Sequence, residues 1–369
     1  MAEKTLAAVL VAPREFEMRE LDIPEISDDD AILKIEACGI CGSDIHGAER
    51  LGPGGPKILG HENVGLIYKI GKKAAARWQV KEGDRVALEE YVPCGACKYC
   101  RSDDFRFCAQ TDIAGPGPRL WYGSTSISEP GTLWGGYSQY MYMHPNAVVH
   151  KVPSNIPARH AAAFLPFSNG VEWAYGYGEV SLGDAIWIQG PGQQGLAAVI
   201  AAKAAGAQKI IVSGLSRDAN RLEVAMKLGA TDTIYADQEE DIVKRIMDIT
   251  GGDGCNTIVN VSGAGKDLVA QAIQVSAKTK ANIVCAAAGP EMVNIGSMGR
   301  KKIQIKQANG HSFKAVELAI QFIASGKLPM EDISTHTFPM SKALEAIDTV
   351  AGKANGGGIH VSIIPEDTV

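Results

Sequence analysis

The sequence holds no uninterrupted apolar stretch that reaches the roughly 20 residues a bilayer span requires. It also lacks any excess of positive charge. Lys plus Arg number 36 and Asp plus Glu 42, a formal net charge of −6, so nothing marks an electrostatic surface for nucleic acid. No internal repeat, low-complexity segment or block of like charge is present; the short run Asp28-Asp29-Asp30 reads as a turn. The opening Met1-Ala2-Glu3-Lys4 leads into a short apolar strand, without the layout of a signal peptide. These absences predict a soluble, cytoplasmic protein with no membrane or nucleic-acid partner. Eight cysteines in 369 residues are too few for a secreted disulfide scaffold, and in a reducing compartment clustered cysteines point to metal.

Apolar residues make up 46% of the chain, enough for full cores, and the length suggests two domains. Up to about residue 150, short apolar runs (Ala31 to Ala37, Val64 to Ile70, Arg85 to Glu89) alternate with turn signals such as Glu82-Gly83-Asp84, a β-rich, barrel-like pattern. Residues 113 to 136 read as an irregular loop. Near residue 160 the pattern changes. Strands are expected at Ala185 to Gln189, Lys209 to Val212, Thr233 to Tyr235, Cys255 to Val261 and Ala281 to Ala286. Helices are expected between them at Gln194 to Ala205, Ala219 to Leu228, Glu239 to Thr250 and Lys266 to Ala277. Such alternation means βαβ units and a parallel sheet covered on both faces, an α/β architecture. From about Gly310 come a helix, Ser312 to Ala324, and a β-like end, Gly358 to Ile364.

Gly190-Pro191-Gly192-Gln193-Gln194-Gly195 stands between the first of these strands and its helix. That is G-x-G-x-x-G in the context that gives it meaning: a tight turn, close backbone approach to a pyrophosphate, close helix–strand packing, and a helix N-terminus facing the phosphates. The second strand of such a unit usually ends in the acidic residue that grips the ribose 2′-hydroxyl of NAD. Here the end reads Val212-Ser213-Gly214-Leu215-Ser216-Arg217, and Gly214 takes the acidic position. With Arg217 and Arg221 just beyond, the site leans towards NADP over NAD, although both arginines also fit as ordinary solvated charges at a helix start.

Cys94, Cys97, Cys100 and Cys108 form C-x2-C-x2-C-x7-C in one loop, a set that can enclose a tetrahedral zinc and leave no open position, so a structural site. Cys38, Cys255 and Cys285 sit in apolar runs and read as buried small hydrophobes. A second constellation joins Cys41 to His61 and Glu62: thiolate, imidazole and carboxylate, with a fourth position left for substrate, which describes a catalytic zinc. Asp44 is placed to accept the other ring N–H of His61.

With these motifs in this order, the chain resembles the zinc-containing medium-chain dehydrogenase/reductase family. The matching segments are Cys41-Gly42-Ser43-Asp44-Ile45-His46, Gly60-His61-Glu62-Asn63-Val64-Gly65, Gly83-Asp84-Arg85-Val86, the four-cysteine lobe and Gly190 to Gly195. The resemblance implies a GroES-like catalytic domain over 1–159 carrying the zinc lobe, a Rossmann domain over 160–309, and a return to the catalytic domain over 310–369. It also implies two zinc ions per chain, homodimers or homotetramers, Ser43 as the contact for the substrate hydroxyl, and His46 as the outer end of a proton relay. One departure stands out. Many members place a further metal ligand where this chain has Leu165. Either Glu62 is the third direct ligand, as in the polyol branch, or the chain is a reductase working without catalytic zinc. For substrate, Trp121, Tyr122, Trp134, Phe164, Phe167 and Trp173 suggest a secondary or cyclic alcohol with a hydrophobic body, oxidised to a ketone. Glu89 and Glu90 are the candidates for a polyol site instead. A dinucleotide-binding protein without turnover would keep Gly190 to Gly195 but would have no use for Ser43 and His46.

Overall fold

The structure, a computed structural model, describes residues 3–366 apart from positions 53, 113, 116, 118, 264 and 288. The chain divides into two compact units. One comprises Met1–Leu165, Ile320–Gly326 and Ser334–Val369; the other comprises Pro166–Ala319 and Lys327–Ile333.

In the first unit the strands are β1 (Lys4–Ala12), β2 (Glu15–Asp22), β3 (Ala31–Gly39), β4 (Lys57–Ile58), β5 (Glu62–Ile70), β6 (Arg85–Leu88), β7 (Tyr140–Met143) and β8 (Val149–Lys151). The second unit holds β9 (Ala185–Gln189), β10 (Lys209–Gly214), β11 (Asp232–Tyr235), β12 (Thr257–Asn260), β13 (Ala281–Cys285) and β14 (Ile303–Gln307). The chain then returns to the first unit with β15 (Ser334–Phe338) and β16 (His360–Ile363).

The first unit is β-rich, as the short apolar runs indicated. Among the described residues, β2-β1-β4 form a small antiparallel sheet. A larger sheet runs β15-β16-β3-β5-β6-β8, with β7 also pairing β3. Its centre, β3 against β5, is antiparallel, and register shifts at Ile32/Leu33 and Ile35/Ala37 bend the pair. Two apolar cores flank it. Ile32, Cys38, Ile40, Leu59, Tyr137 and Val361 belong to one, and Leu33, Val86, Leu88, Tyr122, Trp134 and Met141 to the other. Tyr122 and Trp134 are therefore core residues whose rings pack 5.7 Å apart, and they carry no information about a substrate.

Every neighbouring pair in the second unit's sheet is parallel, in the order β11-β10-β9-β12-β13-β14. Numbered from its first strand this is 3-2-1-4-5-6, the doubly wound Rossmann order, with its topological switch between β9 and β12. The strands are continuous apolar runs: Ala185-Ile186-Trp187-Ile188-Gln189 is buried throughout, because helices cover both faces. The sixth strand, β14, escapes a reading by hydrophobic run. Gln304, Ile305 and Gln307 are exposed, as befits an edge.

Candidate active site

Cys41 follows β3 and stands in extended backbone at the N-terminus of helix α1 (Gly42–Ala48). Asp44, in the first turn, accepts the Cys41 backbone N–H at 2.9 Å through Oδ2, so a helix cap fixes the direction of the cysteine. His61 and Glu62 enter at the start of β5, straight after Gly60, whose φ of +93° suits glycine. A Cβ on Gly60 would lie 2.5 Å from the Tyr137 ring, so the turn also needs a bare backbone there. The result brings one ligand atom each from Cys41, His61 and Glu62 within 4.8 Å of one another, His61 and Glu62 buried.

Asp44, Ser43 and Glu90 face the imidazole, with the Cys41 thiol beside it. Asp44 Oδ1 lies 3.7 Å from Nδ1, facing it at more than hydrogen-bond length. Ser43 Oγ lies 3.4 Å from Nε2 and Glu90 Oε2 3.6 Å from the same nitrogen. Burial by itself would depress the His61 pKa, but the Asp44 carboxylate, the Cys41 thiol and Glu90 outweigh it and hold it well above the usual histidine range. Burial in turn raises the Asp44 carboxyl. His46, by contrast, is 83% exposed at the end of α1, with Glu49 3.9 Å away. Leu165 is buried and offers no donor.

Glu62 is fully buried, and neither carboxylate oxygen has a hydrogen-bond partner. His360 Nε2, delivered by β16, lies 3.7 Å from Glu62 Oε2. The Ser334 hydroxyl donates to the Arg159 carbonyl and lies 3.1 Å from His360 Nδ1. His360 escapes the sequence, whereas Glu90 is named there only as a candidate for a polyol site. The signal for His360 was a histidine inside the apolar run Ile359-His360-Val361, together with Gly39, where a Cβ would strike Glu62 and press on His360.

In the four-cysteine lobe all four sulfurs lie within 4.8 Å of one another. Cys97 and Cys100 are 3.5 Å apart and Cys94 and Cys100 3.9 Å. A zinc–sulfur tetrahedron with bonds of about 2.3 Å has edges of about 3.8 Å, so the spacing fits that ion. Backbone N–H groups of Ala96 and Cys97 pull the Cys94 thiol down to about 6, while burial and neighbouring thiols push Cys100 up to about 12. Cys38, Cys255 and Cys285 are buried in the apolar cores.

In the second unit, Gly190 (φ +113°) turns the chain out of β9, and Gly192 caps helix α2 (Gln193–Ala204). A Cβ on Gly195 would fall 2.0 Å from the Gly190 carbonyl oxygen, whereas one on Gly192 would meet nothing within 4 Å. The third glycine is thus needed for packing and the second faces open space, as a phosphate cradle requires. Gln193 adds a buried side-chain oxygen with no hydrogen-bond partner, and Gln194 follows in the same first turn. Gly214 ends β10, and a Cβ there would press on Pro191 at 2.8 Å. Just beyond, Asp237 Oδ1 accepts the Ser216 backbone N–H at 2.8 Å, and Gln238 donates to the Ser216 hydroxyl. Ser216 and then Arg217 hold the Asp237 carboxyl below its ordinary value. Arg221 faces Asp218 at 3.9 Å. A carboxylate therefore does reach this corner, from the end of the neighbouring strand rather than from position 214.

A family model of the alcohol dehydrogenase GroES-like domain matches residues 27–154, and one of zinc-binding dehydrogenase matches residues 195–325. Over 359 residues the chain is 34% identical to a protein of Mycobacterium tuberculosis named "Probable alcohol dehydrogenase adh", covering 95% of each chain. It is 31% identical over 377 residues to erythritol/L-threitol dehydrogenase of Mycolicibacterium smegmatis, covering 98% of each. An Escherichia coli crystal structure, an oxidoreductase/dehydrogenase of unknown specificity, is 26% identical and superposes with a TM-score of 0.84, covering 99% of this chain and 100% of that one. The chain belongs to the zinc-containing medium-chain dehydrogenase family, and within it is a zinc- and nicotinamide-dependent oxidoreductase of alcohols.

Proposed function

We propose that this enzyme reversibly oxidises a secondary alcohol to a ketone with NAD(P), and that Cys41, His61 and Glu62 hold the catalytic zinc. The observation that carries this reading is Glu62, a fully buried carboxylate with both oxygens lacking a hydrogen-bond donor beside a thiol and an imidazole. Leaving such a group uncompensated is costly, and a cation between the three side chains compensates it. Cys41, His61 and Glu62 would hold a zinc ion whose chemistry there would be Lewis acidity toward the alcohol oxygen, and a nicotinamide held at the Gly190 to Gly195 turn would be the hydride acceptor. Since Leu165 has no donor atom, Glu62 is the third ligand.

The chain's own groups do the rest. Ser43, beside His61 Nε2, takes the hydroxyl proton, and exposed His46 delivers it to solvent. Asp44 orients His61. Cys94, Cys97, Cys100 and Cys108 hold a second, closed zinc that is structural, giving two per chain. Gly190, Gly192, Gly195 and the Gln193–Gln194 turn hold the pyrophosphate. Cofactor choice is an opposition around Gly214: Ser216, Arg217 and Arg221 attract the 2′-phosphate of NADP, and Asp237 repels it. NADP is favoured only slightly. Arg217→Ala moves the preference towards NAD and Asp237→Asn towards NADP; the opposite shifts would refute the assignment.

Free thiols throughout suit a reducing compartment, and we place the enzyme in the cytoplasm. Among the described residues no helix is long and apolar enough to cross a membrane. Its partner is a second copy of itself across the edge of β14, where Ile305 is 46% exposed. Light scattering reads the resulting homodimer or homotetramer, and a monomer at micromolar concentration would contradict it.

The functional test is a panel of secondary alcohols with each nicotinamide, reduced cofactor being followed by absorbance. Turnover that disappears on verified removal of zinc and returns on its addition is expected. Unaltered turnover in the zinc-free enzyme, or none with any alcohol or ketone, would overturn the proposal. Two substrate readings remain: an alcohol with a hydrophobic body and a polyol. Glu90 favours the second.

A further inference from the structure

Glu89, Glu90 and Tyr91 follow β6, with a bend in the chain at Glu90. Glu89 is turned inward and fully buried, its Oε1 3.4 Å from His150 Nε2 and its Oε2 3.6 Å from Arg106 Nη2. The Arg106 guanidinium also lies over the Tyr91 ring at 4.9 Å. Backbone bonds from Glu89 N–H to the Val148 carbonyl and from Tyr122 N–H to the Glu90 carbonyl pin the segment on both sides. Glu90 is thereby a carboxylate held on a rigid support. Its side chain is 20% exposed and its Oε2 lies 3.6 Å from His61 Nε2, the atom that Ser43 Oγ approaches to 3.4 Å. Burial, and then the Glu90 charge, push the Tyr91 phenol upward, so Tyr91 stays protonated beside this carboxylate. Glu90 stands outside the Cys41–His61–Glu62 set whose ligand atoms fall within 4.8 Å of one another.

We infer that Glu90 is a specificity-determining residue that accepts a hydrogen bond from a donor on the carbon next to the one oxidised, so that the enzyme selects vicinal diols. The inference rests on the reading in which Ser43 meets the reacting hydroxyl. Ser43 and Glu90 flank one nitrogen, so an alcohol whose oxygen reaches Ser43 presents its neighbouring carbon to Glu90. A hydroxyl there donates to an acceptor already in position. A methyl or methylene there strips water from a carboxylate and returns nothing, a penalty of about 1–3 kcal/mol. Sites built to bond a substrate hydroxyl reject the analogue lacking it for this reason. In the reaction the carbinol C–H gives its hydride to the nicotinamide and the O–H gives its proton to Ser43. The product is a hydroxyketone whose remaining hydroxyl still bonds Glu90.

The matched probes are propane-1,2-diol and propan-2-ol, with 1-aminopropan-2-ol to separate hydrogen bonding from charge. For the wild type we expect kcat/KM for the diol to exceed that for propan-2-ol by about 5- to 150-fold, the range that penalty converts to. Glu90→Leu should bring the ratio near one, mainly by weakening the diol. Glu90→Gln should keep part of the diol preference and lose the amino alcohol. Calorimetric affinities of the same probes for the zinc-loaded enzyme with oxidised nicotinamide give a readout independent of turnover and should change in parallel. A wild-type ratio near one, or a ratio unmoved by Glu90→Leu in both rate and binding, would overturn the assignment. Failure of every alcohol to turn over sinks the functional reading instead, and the calorimetric comparison still decides the role of Glu90.

Discussion

The two metal-type clusters of the first unit make a natural pair. The lobe takes four like donors from a single loop, Cys94 to Cys108, and three of them are only partly buried. The second cluster takes three unlike donors from two segments, and His360 approaches its carboxylate from the last strand. Four thiolates saturate a tetrahedral ion and exclude chemistry; three donors with an unsatisfied carboxylate leave a position open. The same contrast shows in proton affinity. Backbone N–H groups prepare Cys94 as a thiolate near neutral pH, whereas the Asp44 carboxylate, the Cys41 thiol and Glu90 raise the proton affinity of His61.

If this contrast is right, the largest effect comes from the buried cluster. Glu62→Gln should lower alcohol turnover by about 10²–10³-fold, the range seen for loss of one strong electrostatic contact to reacting charge, while zinc in the lobe stays bound. Steady-state rates with metal analysis check this, and turnover within a fewfold of wild type would remove Glu62 from the site. Asp44→Asn acts one step further out. We expect about 10- to 100-fold weaker zinc binding at the buried cluster, the usual cost of losing a partner that orients a ligand, and no change at the lobe, read by competition with a chromogenic chelator.

Acidification should separate the two clusters. A metal ligand must shed its proton to bind, so a group whose pKa is raised binds metal more weakly as pH falls. His61 is raised and Cys94 lowered to about 6. Cys100, raised to about 12, works against the lobe, but the three-donor site has one ligand fewer to lose, so as pH is lowered from 8 zinc should leave the buried cluster before the lobe. Simultaneous release would break the comparison. The smallest effect concerns the metal-free lobe, where an alkylating reagent should modify Cys94 half-maximally near pH 6, well before Cys100, raised to about 12. Mass-spectrometric mapping reads this order.

The contrast also explains what the sequence made legible. Cys94 to Cys108 and Gly190 to Gly195 are local devices, so spacing along the chain carries their geometry. The strands β9 and β13 are equally local: buried apolar runs between helices, whose ends the reading placed within a residue. The edge strand β14 was missed because its exposed glutamines break the apolar run. Asp237 is not legible from the run of β10, because parallel pairing with β11 brings the acid from the next loop. Glu89 and Glu90 look interchangeable in sequence, yet one is sealed against Arg106 and His150 and the other faces His61. Which of two adjacent carboxylates faces inward depends on which strands pair across the sheet, and composition is silent about that.

The central claim is that a catalytic zinc sits on Cys41, His61 and Glu62, separate from the lobe. Zinc content and alcohol turnover of Cys41→Ser, measured on the same preparation with nicotinamide binding as a control for folding, test it most directly. The account predicts one zinc per chain in place of two, cofactor binding retained, and turnover lost. Two zinc ions per chain, or turnover equal to wild type, would contradict it.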